Sequence, residues 1–166
     1  MEESSFPKTP RRLRVVFDRD PLYFITFNTL NRQRILANQA THEAFIEYSK
    51  TALHKGIAVG RYVIMPDHIH LFVRFSGDLS LGRWIGGFKR WLSKSIVRPA
   101  SSDSSRTATT PDTSDWQPGF FDHIMRSDES YAEKWDYVRK NPERECLVAR
   151  AEDWPFQGTI VRIDRV

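Results

Sequence analysis

Three observations predict an α+β fold of the split β-α-β kind. Ile57 to Met65 and His68 to Phe75 are two strand-like runs separated only by Pro66-Asp67, the spacing of a hairpin. Strand-forming segments lie on either side, Leu22 to Phe27 upstream and a short run near Gly119 to Ile124 downstream. Between each outer strand and the hairpin sits a segment whose apolar residues recur at helical spacing. The order β-α-β-β-α-β with one further helix is the ferredoxin-like pattern. It predicts a four-stranded antiparallel sheet with helices on one face, plus a C-terminal tyrosine-bearing helix.

Residues 1–14 carry Pro7, Pro10 and the cations Lys8, Arg11, Arg12 and Arg14, and predict a flexible basic arm ahead of a single domain at 15–166. The first strand, LYFITF, is rich in aromatic and β-branched residues. After a polar connection from Asn28 to Asn38, Thr41 opens a helix that runs to about Lys55 on Ala44, Phe45, Tyr48 and Leu53. Gly56 ends it, as glycine does where the chain turns left-handed. After the hairpin, Leu81, Trp84, Ile85, Phe88, Trp91, Leu92 and Ile96 mark a second helix, with both tryptophans expected in the core. Pro99 to Asp115 holds five serines, four threonines and no large apolar residue. It predicts a disordered loop at 99–115 inside the domain. Ser127 to Asn141 is a third helix, with Asp128 and Glu129 in its first turn and Pro142 as its stop. The tail from Leu147 to Val166 is expected to lie over the sheet through Trp154, Pro155 and Phe156. No internal repeat is present.

A chain of 166 residues, 40 % hydrophobic and 13 % aromatic, can bury its own core and is no disordered polymer. The lone Cys146 excludes an internal disulfide and a cysteine-based zinc cluster, and predicts an inert core thiol. No apolar run reaches the ~18 residues of a membrane span, and the N-terminus has no signal-like core; a cytoplasmic protein is expected. Lys+Arg 25 against Asp+Glu 21 gives +4, a balance compatible with a nucleic-acid partner. Between Leu79 and Arg98 there are five basic residues and no acid. Arg83, Lys89, Arg90 and Lys94 there predict either a solvated helix face or a phosphate track.

His68-Ile69-His70 is the sharpest local feature. Side chains alternate on a strand, so His68, His70, Phe72 and Arg74 share one face and Ile69, Leu71, Val73 and Phe75 the core face. Two imidazoles two residues apart can turn onto one cation; the plainer interpretation is a pair of solvent-facing histidines. Asp67 points away from them if the strand is regular, and is expected to serve the turn. On the third helix Tyr131, Trp135 and Val138 form the apolar stripe, while Tyr137 and Asn141 sit together about 100° away. Combining the two features gives a divalent ion held by His68, His70 and the Asn141 amide oxygen, acting as a Lewis acid on a phosphate. Tyr137 supplies the nucleophile, its ordinary pKa near ~10 lowered by the cation. Ligand softness permits manganese, zinc or other first-row metals, magnesium less obviously. His42 and His54 are expected to be structural; His123 is a candidate for contact with DNA or with the site.

Met65-Pro66-Asp67-His68-Ile69-His70-Leu71 resembles the His-hydrophobe-His motif of the HUH endonucleases, in its single-tyrosine transposase form. Trp116-Gln117-Pro118-Gly119-Phe120-Phe121-Asp122 and Tyr137-Val138-Arg139-Lys140-Asn141-Pro142 resemble landmarks of one branch, the REP-associated tyrosine transposases of bacteria. Ile25-Thr26-Phe27 and Asp153-Trp154-Pro155 are similar to that branch as well. The resemblance spans about Leu22 to Phe156. It implies an Mg²⁺- or Mn²⁺-dependent cut in single-stranded DNA at repetitive extragenic palindromes, through a covalent 5′-phosphotyrosine and a free 3′-hydroxyl. It implies Tyr137 as nucleophile and His68, His70 and Asn141 as metal ligands. Candidate DNA contacts are Arg11, Arg12, Arg14, Arg74, Arg83, Lys89, Arg90, Lys94, His123 and Lys140. A monomer is expected, nucleoid-associated when bound. The family often continues after Asn-Pro with small residues and a glycine, where this chain has Glu143-Arg144-Glu145-Cys146. Two other functions fit the same residues: a rolling-circle replication initiator, echoed by Phe27 to Asn31 and Tyr137-x-x-Lys140, and a hairpin-DNA-binding protein without chemistry.

Overall fold

The computed structural model describes residues 20–76, 79–96, 115–125 and 131–163. The basic arm at 1–14, with Arg11, Arg12 and Arg14, and nearly all of the 99–115 loop lie outside the described residues. In chain order the elements are β1 (Leu22–Asn28), α1 (Gln39–Ala52), β2 (Ile57–Ile64), β3 (His68–Phe75), α2 (Leu81–Ser93), β4 (Phe121–Met125), α3 (Tyr131–Arg139), α4 (Asn141–Arg144) and β5 (Gln157–Thr159). The strands form one antiparallel sheet in the order β4-β1-β3-β2-β5. The first four follow the split β-α-β order, and the expected four-stranded sheet is corrected to five.

Local chemistry accounts for the boundaries. The Asn38 side chain accepts from the Thr41 amide and starts α1, and Gly56, at φ 74°, turns the chain into β2. Ser80 caps α2 through the Arg83 amide. The hairpin between β2 and β3 closes through Met65 N–H to His68 O at 2.8 Å. Two residues of the β1–α1 connection pin its turn, Thr29 donating its amide to Asp67 O and Leu36 to Pro66 O.

Both faces of the sheet are covered. Ile25, Phe27, Ile57, Val59, Tyr62, Ile64, Ile69, Leu71 and Val73 meet α1 and α2 through Phe45, Trp84, Ile85, Phe88 and Leu92. The opposite face, with Leu22, Phe24, Val63 and Phe72, packs against Tyr131, Trp135 and Val138 of α3 and against Trp154 and Ile163 of the tail. The Tyr131-Trp135-Val138 stripe is thus buried, and Trp154 anchors the tail by donating its indole N–H to Ile64 O at 2.9 Å. That anchor brings Gln157–Thr159 alongside β2 as the fifth strand. Gly60 sits where β2 and β3 shift register, and a Cβ there would stand 2.4 Å from Ile163 Cδ1, so the close approach of the tail requires glycine.

Four expectations are corrected here. Arg74 is no open phosphate contact: it is buried, donating from Nε to Ile163 O and from Nη1 to Asp20 O at 2.8 Å. Lys89 is buried as well, its ammonium donating to Gln117 O and Gly119 O, and desolvation holds its pKa below the usual lysine value. Pro142 does not stop the third helix outright. Lys140 keeps near-helical angles and Pro142 occupies the first turn of α4, where a missing N–H costs nothing. Cys146 is exposed rather than core, at φ 56°. Leu147 N–H returns there to Pro142 O, so Cys146 takes the left-handed position that glycine favours after a helix.

The Arg74 bonds tie β3 to both ends of the described chain. Arg74→Ala is expected to lower unfolding stability by about 2–3 kcal/mol, the loss of buried charge-assisted bonds to carbonyls; urea denaturation measures it. An unchanged midpoint would return Arg74 to the surface candidates.

Candidate functional site

Strand register assembles the site. Asn28 pairs with His68, Thr26 with His70 and Phe24 with Phe72, while Thr26 pairs with Phe121 and Phe24 with His123 across the other edge of β1. Paired residues lie on the same face of the sheet. His68 and His70 therefore stand in a row between Asn28 and Thr26 on one side and the hairpin on the other.

The two imidazoles meet at Nε2, 3.1 Å apart. Each Nδ1 is held from behind: His68 Nδ1 lies 2.6 Å from Asp67 Oδ1, and His70 Nδ1 lies 2.7 Å from Thr26 Oγ1. One proton arrangement satisfies the row. Thr26 donates to His70 Nδ1, His70 Nε2–H donates to His68 Nε2, and His68 Nδ1–H donates to Asp67. Asp67 thus corrects the expectation that it points away. It precedes the regular strand, so alternation does not govern it. Its second oxygen pairs with Arg32 Nε at 2.8 Å. Burial pushes the Asp67 carboxyl up, but the His68 hydrogen bond and the charges of His68 and Arg32 outweigh it and hold it below the usual range. Arg32 reaches it from a left-handed backbone, φ 56° following Asn31 at φ 54°. Non-glycine residues held in that region mark strain sustained by surrounding contacts.

Burial, then the charges of His68, Lys134, Arg144 and Arg32, push the His70 pKa down to about 3. His70 is therefore neutral, with one ring nitrogen unprotonated, throughout the physiological range. An unfolded chain takes up that proton near the ordinary value of ~6.5. Stability from this residue is complete above about pH 6.5 and is lost as the pH falls toward 3, at up to about 1.4 kcal/mol per unit. Melting curves from pH 7 to 4 are expected to decline more steeply for the wild type than for His70→Gln; parallel declines would remove His70 as the cause.

Helix α3 crosses this face. Tyr131 packs on Phe72 with centroids 4.6 Å apart, Lys134 lies 4.9 Å above the Phe24 ring, and Phe24 stacks on His70 at 5.5 Å. Tyr137 is 62 % exposed. The Arg144 guanidinium covers its ring at 4.0 Å and also donates to Asn141 Oδ1. Tyr137 of α3 and Asn141 of α4 are thus joined through Arg144.

The remaining candidates separate. His123 lies on β4 in register with Phe24, on the histidine face. Lys140 pairs with Asp136 at 2.8 Å. Arg83, Arg90 and Lys94 are exposed on α2, on the opposite side of the sheet. His42 bonds Tyr62 at 2.9 Å in the core, as a structural histidine does. Thr26, Arg32, Asp67, Lys134, Arg144 and the exposed Phe121 are the site features that the sequence reading missed. Thr26, Asp67 and Phe121 carried a signal, each lying within one of the quoted landmarks; Arg32, Lys134 and Arg144 carried none. Among the described residues no group of three or more His, Cys, Asp or Glu gathers around one point. The converging donors on this face are the two Nε2 atoms of His68 and His70.

A family model described as "Transposase IS200 like" matches residues 20–141. The chain belongs to the IS200-like transposase family. The matched span runs from β1 to Asn141 and so contains both histidines and Tyr137. A REP-associated tyrosine transposase of Escherichia coli is 25 % identical over 139 residues, covering 81 % of this chain and 73 % of that protein. A Haemophilus influenzae relative assigned to the same group is 25 % identical over 143 residues, 86 % of this chain and 81 % of its own. The fold matches a solved REP-associated tyrosine transposase bound to a REP hairpin, with a TM-score of 0.60, 20 % identity, and coverage of 93 % of this chain and 82 % of the other. The resemblance of this transposase-family chain to the REP-associated tyrosine transposases is borne out. No helix among its described residues is long and apolar enough to cross a membrane.

Proposed function

We propose that this chain cuts and rejoins single-stranded DNA at palindromic, REP-type hairpins, with Tyr137 as nucleophile and an Mg²⁺ or Mn²⁺ ion at His68, His70 and Asn141. The observation that carries the reading is the convergence of the two Nε2 atoms at 3.1 Å with both Nδ1 atoms engaged from behind. Ligating histidines typically donate their other ring N–H to a carboxylate, backbone carbonyl or water. Here Asp67 takes that part behind His68, and Thr26 Oγ1 stands in the same place behind His70. A solvated histidine pair on an amphipathic strand would need neither.

The residues fit a small divalent cation. His70 must carry its proton on Nδ1 instead of Nε2 to become a ligand, and Thr26 Oγ1, already within 2.7 Å of Nδ1, can turn its hydroxyl away and accept the Nδ1–H hydrogen bond. The cation, when bound, would supply Lewis-acid polarisation of the phosphate. Tyr137 Oη would attack phosphorus, forming the P–O bond to tyrosine and breaking the bond to the 3′-oxygen, which takes a proton and leaves as a hydroxyl. The phenolic proton passes to water. Reversal by a 3′-hydroxyl rejoins the strand. The names of the transposase relatives and the hairpin-bound structural neighbour support DNA as the substrate class.

The deciding experiment incubates the full chain with single-stranded hairpin oligonucleotides, with and without Mg²⁺ or Mn²⁺, and resolves products on denaturing gels. A metal-dependent covalent adduct is expected. Tight hairpin binding with no adduct in either metal would favour a DNA-binding role without chemistry.

A further inference from the structure

We propose that Arg144 grips a non-bridging oxygen of the phosphate that Tyr137 attacks, so that it is a further catalytic residue of this chain. The inference deepens the proposed function and rests on Tyr137 being the nucleophile.

The α3–α4 segment that carries Tyr137 holds four cations, Lys134, Arg139, Lys140 and Arg144. Arg139 and Lys140 are already engaged by Asp136, at 2.7 and 2.8 Å. Among the described residues neither Lys134 nor Arg144 is paired with a carboxylate. Lys134 lies over Phe24, deep toward the sheet. Arg144 is exposed and lies against the two groups the reaction needs on this helix, with its guanidinium over the Tyr137 ring and an N–H on Asn141 Oδ1.

The near-helical Lys140 lets α3 run almost directly into α4. Tyr137, Asn141 and Arg144, spaced three to four residues apart, therefore share one side. A guanidinium has five N–H donors in a rigid fork. One rests on Asn141 Oδ1, the atom a cation would take, so ligation would free that donor and leave the whole fork to hold a phosphate oxygen. Charge considerations favour an anion between these groups. Asn141, as a cation ligand, would bring a divalent ion close to the Arg144 charge. Those two positive charges coexist at lowest cost when a phosphate lies between them. In the transition state the attacked phosphate gains negative charge on its equatorial oxygens, where a fixed guanidinium acts most strongly.

The test compares wild type, Arg144→Ala and Arg144→Lys on the hairpin oligonucleotide that the wild type cuts, with Arg150→Ala, an exposed arginine paired with Asp153, as the surface control. Arg144→Ala is expected to slow adduct formation by about 100-fold or more, the usual effect of losing one preorganised donor to a developing oxyanion. Affinity for uncut hairpin should stay within about threefold, ~0.7 kcal/mol. Arg144→Lys should recover part of the rate, since it keeps the charge without the fork.

The decisive arm replaces the cut phosphate with each methylphosphonate diastereomer. In one of them the oxygen facing Arg144 becomes a methyl group, and there the wild type should lose its advantage over Arg144→Ala. A full rate in Arg144→Ala overturns the proposal. So does an equal deficit on phosphate and on both methylphosphonates, which would leave Arg144 positioning Tyr137 and Asn141 only. Absence of any adduct in the wild type would overturn the proposed function itself, a separate outcome.

Discussion

Tyr137→Phe is expected to lose all covalent attachment to a hairpin oligonucleotide while keeping its affinity for that DNA within about threefold, ~0.7 kcal/mol. The loss is complete because the missing oxygen is one end of the bond formed, and no neighbouring group can substitute for it. Folding should be untouched. The ring is 62 % exposed, and its contact is with the Arg144 guanidinium, which phenylalanine retains as a cation–π partner. Equal melting temperatures would therefore accompany total loss of the adduct on a denaturing gel. Tyr131, the other tyrosine of α3, is a poor substitute nucleophile, since its ring is packed edge-on against Phe72. An adduct that survives in Tyr137→Phe would therefore remove the assignment and, with it, the role proposed for Arg144.

Much of this was legible because strand alternation and helical spacing are local signals. His68 to Phe75 is bounded as expected, and the parity that put both histidines on one face follows from the two-residue period alone. The stripe of Tyr131, Trp135 and Val138 likewise predicts which side of α3 is buried. What was not legible comes from chain segments that return from far away. Parity assigned Arg74 to the histidine face correctly, but its exposure depends on the segment ending at Ile163, which covers that end of the sheet. Lys89 reads as one cation in a basic helix face until the Gln117 and Gly119 carbonyls are brought beneath it. The fifth strand, Gln157–Thr159, has no strand-like pattern of its own. It pairs because Trp154 fixes the residues just before it. Asp67 was misread for a different reason: a regular strand was extended one residue too far, into a turn whose geometry is set by Thr29 and Leu36. The two imidazoles, the tyrosine and the amide of the proposed site were therefore readable from local pattern, and tertiary structure adds the contacts around them.

The supporting contacts make the second large effect predictable. His68→Ala or His70→Ala should abolish specific Mn²⁺ binding, measured by calorimetry on the full chain, since each removes one of the two imidazoles whose Nε2 atoms converge. Asp67→Asn should weaken Mn²⁺ by about 10- to 100-fold, the range for loss of a carboxylate behind a ligating histidine. The amide keeps a carbonyl oxygen that can accept from His68 Nδ1–H, so ring orientation survives. What disappears is the negative charge that balances Arg32 at 2.8 Å. Arg32 would then stand beside the cation site uncompensated and add repulsion. Thr26→Val should be milder, because the Thr26 hydroxyl carries no charge and His70 is already neutral. The ordering is the informative part. If Thr26→Val and Asp67→Asn weaken the cation equally, these contacts act only by aiming the rings. A larger loss in Asp67→Asn means that the carboxylate tunes the ligand electrostatically through His68. If both histidine variants bind Mn²⁺ as the wild type does, the converging Nε2 atoms form a hydrogen-bonded pair and nothing more.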